Sequence, residues 1–430
     1  MKEVKAILLS LVCMGFFTIV TACTNVTTST SPSADTVSTP VFGISSGTYG
    51  GIQIVTLSSS TTGASIYYTT DGAVPTTSSS LYGSEILVTA SETIKAIAVK
   101  TGMTNSDVAS VSYIINIVNT GASSDGLPCY FINGTQSSSL SMPTESVGGK
   151  TYRNTISDGV LYVTGYTYTT GNSANQLYYQ PCFWKDGSRT DLSLPSGATG
   201  GYAVNGPFVL NGAYYSAGYY YDSTGVQHPC YWHNGDCSVL SATSVGGASE
   251  IFVVGSDIYV AGRILTSSSP TVAQLCYWKN GTISMLDIGS ASFGEVGQIH
   301  VINGNFYITG AISINSVFTP CYWKDGKRTD LSYTTSSSAS GGAHAYGFYI
   351  DGNDVYVAGV IHDSWWYPYA QPCYWKNGVF SLLSLPSGVS RGGGWDFTKE
   401  NGHVYVRGSG LDVVCVCVWF NGTLTSTAVY

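Results

Sequence analysis

The heptapeptide Pro372-Cys373-Tyr374-Trp375-Lys376-Asn377-Gly378 constrains this chain more than any other feature, because it recurs. Close copies at 128–134, 181–187, 229–235, 275–281, 320–326 and 416–422 make seven, and their cysteines lie 53, 48, 46, 45, 52 and 44 residues apart. A second motif, Val355-Tyr356-Val357-Ala358-Gly359, alternates with them, with further copies at 161–165, 214–218, 258–262, 306–310 and 404–408. A period of this kind means one supersecondary unit stacked on copies of itself.

Each motif reads as a strand that runs into a tight turn. Tyr-Trp-Lys-Asn-Gly alternates apolar and polar positions and then meets Asn-Gly or Asp-Gly, the dipeptides that tolerate positive φ at both centres of a type I′ hairpin turn. Proline before the cysteine suits a first strand residue, where a missing N–H costs little. Upstream of each Val-Tyr-Val-Ala-Gly copy stands another apolar strand with a short turn, such as 251–254 before Gly255-Ser256-Asp257. One repeat is therefore four strands without helical periodicity, the signature of a β-propeller. The expected fold class is all-β: a small β-sandwich followed by a β-propeller of six full four-stranded repeats plus an extra hairpin, with six or seven blades. Six copies of the inner motif face seven of the outer one, and 117–128 leaves no room for an inner pair. The repeats resemble bacterial kelch-like propellers, although the double glycine of kelch is not consistently present.

The N-terminus carries an address. Lysines at 2 and 5, an apolar run over 6–20 and Val20-Thr21-Ala22-Cys23 describe a secretory signal too short to span a bilayer. The last four residues resemble the lipobox of bacterial lipoproteins, which implies lipidation at Cys23 and anchoring in the outer membrane. Residues 23–38 are Ser/Thr-rich and read as a tether.

Residues 39–117 form a separate small β unit. The run Ile66-Tyr67-Tyr68-Thr69-Thr70-Asp71-Gly72-Ala73-Val74-Pro75-Thr76, then Leu81-Tyr82 and Thr93-Ile94-Lys95-Ala96-Ile97-Ala98, resembles the chitobiase/β-hexosaminidase C-terminal domain family. That resemblance implies a β-sandwich appended to surface and carbohydrate-active proteins, and carries no catalytic residue. The propeller follows over 120–430.

Composition narrows the function. Net charge is −8 over 430 residues and only 10% are charged, so a basic footprint for nucleic acid is absent. Seven of the eleven cysteines occupy one strand position in successive repeats. Neighbouring blades pack about 10 Å apart, too far for disulfides, and a once-per-blade ring cannot converge on a metal. The cysteines are expected as small core residues, with tryptophans two positions on beside them. No cofactor, metal or catalytic motif is expected, and contact with membrane is expected through the lipid alone.

Binding residues are then sought among what does not repeat. The first-to-second and third-to-fourth turns share one face of the ring and are tight throughout. The opposite face has long aromatic connections: Tyr166, Tyr168, Tyr178 and Tyr179, then Tyr219, Tyr220 and Tyr221, then Trp365, Trp366, Tyr367 and Tyr369. Aromatic faces on a rigid scaffold suit a glycan or a surface protein. Alignment on the inner turn glycine gives a second set at the channel mouth, Arg153, Gly206, Ser249, Gln298, Tyr346 and Asp396, with Asn205, Glu250, Glu295, His344 and Trp395 nearby. The leading expectation is non-catalytic binding or adhesion. The alternatives are a propeller glycoside hydrolase or polysaccharide lyase using those carboxyls, and a structural part of an envelope complex.

Overall fold

A computed structural model describes residues 35–49, 53–88, 90–115, 118–122, 127–132, 135–157, 160–170, 177–240, 245–265, 273–334, 342–362, 370–400, 403–410, 415–420 and 423–429. The expected signal, Cys23 and the segment holding Trp365, Trp366, Tyr367 and Tyr369 lie outside those residues. Strands account for the described secondary structure, and no helix occurs among the described residues.

The sandwich is a five-stranded sheet in the order Gly47–Tyr49, Ala109–Ile115, Glu92–Val99, Ser65–Thr69, Ser80–Leu81, with two small strand pairs, Gln53–Val55 with Ile86–Val88 and Val41–Phe42 with Leu57–Ser58. Its core joins Val55, Leu57, Ile66, Val88, Ile94, Tyr113 and Ile115. Tyr113 is buried yet satisfied, its hydroxyl donating to Ile44 O at 2.8 Å.

A β-propeller follows as seven successive blades. Blade 4 shows the pattern from the axis outward: Gly246–Val254, Asp257–Leu265, Ala273–Lys279 and Thr282–Met285, all antiparallel. Blades 2, 3, 5, 6 and 7 repeat it over 146–191, 200–239, 293–330, 342–382 and 392–429. Blade 1 has three strands, Val118–Ala122, Pro128–Ile132 and Thr135–Ser139. Its register resolves the mismatch in motif number. Gly121 pairs with Cys129 as Gly165 pairs with Cys182, Gly262 with Cys276 and Gly359 with Cys373. Asn119-Thr120-Gly121 is thus a seventh copy of the inner motif, and the extra hairpin is a blade lacking only its innermost strand.

The turns obey their residues. Asp186, Asn234, Asn280, Asp325 and Asn377 and the glycines after them all have positive φ, as type I′ demands. The side chain has a second duty that Gly-Gly could not perform. Asn280 Oδ1 accepts from Ile258 N at 2.8 Å, and Asp186, Asn234, Asp325 and Asn377 bind the start of their own second strands in the same way.

The repeated glycine on the second strand is a packing requirement. A Cβ at Gly359 would overlap His344 O on the innermost strand and stand 2.9 Å from Cζ3 of Trp375 on the third. Gly218, Gly310 and Gly408 meet the same pair of neighbours. The tryptophan that fills this gap is fully buried in blades 2 to 7, contributing on the order of 3 kcal/mol each. Its indole N–H also donates to the segment entering its blade: Trp184 to Ser141 O, Trp232 to Ser193 O, Trp323 to Asp287 O, Trp375 to Ser332 O and Trp419 to Ser384 O, at 2.6–2.8 Å.

The cysteines behave as core. Cys129, Cys182, Cys230, Cys276, Cys321, Cys373 and Cys417 are each 0% exposed, and among the described residues none is in a disulfide. Cys321 and Trp323 of blade 5 pack on Tyr259, Ala261, Leu275 and Leu286 of blade 4, so the pair seals one blade to the one before it. Burial pushes the Cys182 thiol up to about 12.

Gly359→Ala should therefore cost about 2–3 kcal/mol by overpacking against backbone. Gly83→Ala, where no atom stands within 4 Å, should be close to neutral. Denaturant titration of the two variants measures the contrast, and equal small effects would remove the packing account of the repeat.

Candidate functional site at the channel and its tyrosine-lined mouth

The innermost strands carry the site because their register breaks at one equivalent place. In blades 2 to 7 a bulge follows the residue paired with the repeated glycine, after Thr151, Ala203, Ala248, Val296, Ala345 and Gly394. A bulge leaves one residue unpaired and re-aims its neighbours. Two positions beyond the glycine's partner stand Arg153, Asn205, Glu250, Gln298, Gly347 and Asp396. Alignment on turn glycines instead chose Gly206, Ser249 and Tyr346. In blades 4 and 6 the turn glycine comes first, at Gly255 and Gly352, rather than second. Blade 3 has an added register shift between Asn205 and Phe208.

Buried hydroxyls on the second strands hold the bulges. Ser216 Oγ donates to Asn205 O at 2.5 Å within blade 3. Thr164 Oγ1 donates to Gly206 O at 2.8 Å, and Thr309 Oγ1 donates to Tyr346 O at 2.5 Å while accepting from Gln298 N at 2.9 Å. The Thr164 and Thr309 contacts cross from blade 2 to 3 and from 5 to 6. The channel wall is thereby tied blade to blade.

An ion pair spans two blades of this ring. Arg153 Nη2 donates to Glu250 Oε1 at 2.9 Å, with 49% of the arginine side chain exposed and 9% of the glutamate. Burial pushes the Glu250 carboxyl up to about 7, although Arg153 and Asn205 pull it down. Asn205 is fixed by donating to Ser249 O and accepting from Gly206 N.

A second cluster joins blades 5 and 6. His344 Nδ1 lies 2.8 Å from His362 Nε2, so one imidazole donates to the other, and both rings are buried. Phe318 covers them, its ring centre 4.3 Å from that of His344, and Tyr346 stacks at 6.0 Å. Glu295 Oε2 stands 3.7 Å from His344 Nε2. Burial, then the neighbouring His362, hold His344 down to about 3, so it is neutral at physiological pH. Burial raises the Glu295 carboxyl while Arg263 opposes the shift. The structure thus brings together Glu295, His344 and Tyr346. His362, which the sequence places at the head of the aromatic loop, closes a strand and lies in the core.

Glu295 also lines a pocket of about 330 Å3 at the mouth, with Tyr219, Gln227, Ser249, Arg263 and Leu275. Tyr219 begins a row of half-buried tyrosines across blades 3 and 2. Its ring centre is 5.1 Å from Tyr202, which is 4.9 Å from Tyr179 and 4.7 Å from Tyr166, and Tyr166 is 5.8 Å from Tyr152. These residues stand on the extended ends of strand pairs, not on loops as the sequence reading has it: Tyr168 pairs with Tyr179, and Tyr202 with Tyr219. Tyr220 points to the other side of its strand and stacks on His228 at 5.1 Å. Of Tyr219 and Tyr220 only Tyr219 lines the mouth pocket. Gln298 lies further along the channel, where its Oε1 accepts from His300 Nε2 at 3.0 Å. Trp395 and Asp396 are placed by their backbone on the innermost strand of blade 7. Tyr202, Gln227 and Arg263 were missed because they come together at the mouth only when blades 3 and 4 are assembled. Among the described residues no group of three or more His, Cys, Asp or Glu is placed to hold a metal ion.

Residues 44–110 match the family model of the Chitobiase/beta-hexosaminidase C-terminal domain. No curated protein matches this sequence. Among solved structures, a quinonprotein alcohol dehydrogenase-like protein from Bacteroides thetaiotaomicron aligns at 10% identity and TM-score 0.33, over 90% of this chain and 94% of that one. The β-propeller domain of the Trilobed protease from Pyrococcus furiosus aligns at 11% and 0.37, over 70% and 92%. Likenesses this low carry no argument about function. The chain is a β-sandwich domain followed by a β-propeller, as its own sheets show.

The Glu250 carboxyl sets a pH signature. Its proton is held more tightly folded than unfolded, from 4.5 up to about 7. The stability it contributes is whole below about pH 4.5 and is lost as pH rises through 7. Wild-type stability relative to Glu250→Gln should fall by about 3 kcal/mol between pH 4.5 and 8. Parallel pH curves from chemical denaturation would show an ordinary carboxylate.

Proposed function

We propose that this chain is an exported lipoprotein, anchored through Cys23 in the outer membrane, whose propeller binds a glycan on its long-connection face. The observation that carries the reading is the tyrosine row from Tyr166 through Tyr202 to Tyr219, which ends in the pocket of Gln227, Arg263 and Glu295. The rings pack on one another, and their exposed parts offer apolar contact to the C–H faces of sugars. The polar pocket at the end supplies a guanidinium, a carboxyl and an amide for hydroxyl groups, the mixture typical of orienting groups in ligand pockets. The sandwich supports a carbohydrate setting, since its family model is named for enzymes of that chemistry. Trp365, Trp366, Tyr367 and Tyr369 are assigned to the same face from their sequence position alone.

One observation favours a catalytic alternative. Glu295 combines a raised carboxyl pKa with a neutral imidazole at 3.7 Å, as a general acid of a glycoside hydrolase or lyase would require.

A glycan array probed with the chain from residue 38 tests the binding reading. Selected glycans should bind, and Tyr219→Ala combined with Arg263→Ala should weaken them at least tenfold, with a melting temperature within a few degrees of wild type. Silence across the array would refute it in favour of a protein partner, and glycan binding unaltered by the double variant would refute the tyrosine-lined mouth as the site. Shortened or unsaturated products that vanish in Glu295→Gln would establish the catalytic alternative. For the address, Cys23→Ala should release the protein from the membrane fraction; an unmodified protein already soluble and free of acyl groups would contradict the anchor.

A further inference from the structure

Deeper in the channel than the tyrosine row lies a second cavity of about 330 Å3, bounded by Arg153, Asn205, Phe208, Glu250, Phe252 and Gln298. Three features of its wall bear on what it holds. The guanidinium and the carboxyl are side by side, with Arg153 Nη2 2.9 Å from Glu250 Oε1, so the wall offers a donor next to an acceptor. Adjacent hydroxyls of a sugar each donate and accept, and match such a pair. Gln298 is oriented by a neighbour in the same wall: its Oε1 accepts from His300 Nε2 at 3.0 Å. Next along the same innermost strands, Phe208 and Phe252 lie with ring centres 5.0 Å apart, and Phe252 is 5.6 Å from His300. An apolar patch beside a polar one around a small volume suits a single pyranose ring.

We propose that this inner cavity is a separate binding site for a neutral monosaccharide unit, free or at the end of a chain. Arg153 and Glu250 grip two neighbouring hydroxyls, and Phe208 and Phe252 receive the ring's C–H face. Above about pH 7, where Glu250 is ionised, the pair selects neutral sugars over sugar acids. A carboxylate on the ligand would compete with Glu250 for Arg153 and leave a buried charge without its partner, a costly arrangement. This site goes beyond the mouth reading and stands or falls apart from it, since it shares none of the mouth pocket's side chains.

The test is saturation-transfer NMR at about pH 8, above the Glu250 titration, on the full-length protein in detergent, with glucose, galactose, N-acetylglucosamine, glucuronate and galacturonate as probes. At least one neutral sugar should give transfer with millimolar affinity, as expected for so small a ligand, and both uronates should bind at least tenfold more weakly. Arg153→Ala and Glu250→Gln should each reduce neutral-sugar binding at least tenfold, whereas Tyr219→Ala with Arg263→Ala should leave it unchanged. A second readout needs no disruptive variant. With 4-fluorophenylalanine in place of Phe252, the fluorine resonance should move in step with sugar occupancy. Uronates binding as well or better, no neutral sugar binding at 20 mM (roughly the upper end of the millimolar range), or sugar binding without a fluorine shift would each overturn the proposal.

Discussion

A single missing methyl group organises this propeller. At the repeated glycine of the second strand, the innermost strand's carbonyl enters the space a Cβ would take, and at Gly218, Gly310, Gly359 and Gly408 the third strand's indole converges on it too. Three strands can approach that closely only where no side chain intervenes. The innermost strand then bulges directly after the glycine's partner, in six blades. The indole reaches past the glycine to a carbonyl of the segment that enters its blade. Packing within a blade and stapling between blades therefore stem from one position.

The bulge is also where uniformity ends. Outward from the glycine the repeats hold the same cysteine, tryptophan and Asn/Asp-Gly turn, because each has a fixed partner. Inward, the residue after the bulge faces the channel and has no such partner to satisfy in every blade. Arg153, Asn205, Glu250 and Gln298 follow one another there. A scaffold that repeats in packing and differs in channel chemistry can present an asymmetric site on a nearly symmetric ring. The buried hydroxyls of Thr164, Ser216 and Thr309 keep that site rigid by bonding the carbonyls the bulge displaces.

Much of this was legible in the sequence, and the exceptions have physical causes. Period, hairpin turns and buried cysteines followed from residue types whose preferences are local. The strand at 118–122 escaped notice because Asn119-Thr120-Gly121 keeps only the glycine of its motif, and that glycine is recognisable by its pairing with Cys129. The channel ring was placed one residue off in three blades because bulges and turn types shift register without changing composition. The tyrosines of 166–179 and 219–221 look like loop residues, yet their strands extend beyond the repeated core and pair them. The contact between Arg153 and Glu250 joins residues 97 apart, and no local pattern announces it.

The central claim is that one face of the ring binds while the opposite face only connects strands. Hydrogen exchange with and without a bound glycan tests it most directly. Slowed exchange is expected at 165–169, 178–180, 201–204, 219–221 and 246–249, the mouth ends of blades 2 to 4. Protection confined to the tight turns at 186–187, 234–235 and 280–281, or to the sandwich at 41–115, would contradict it.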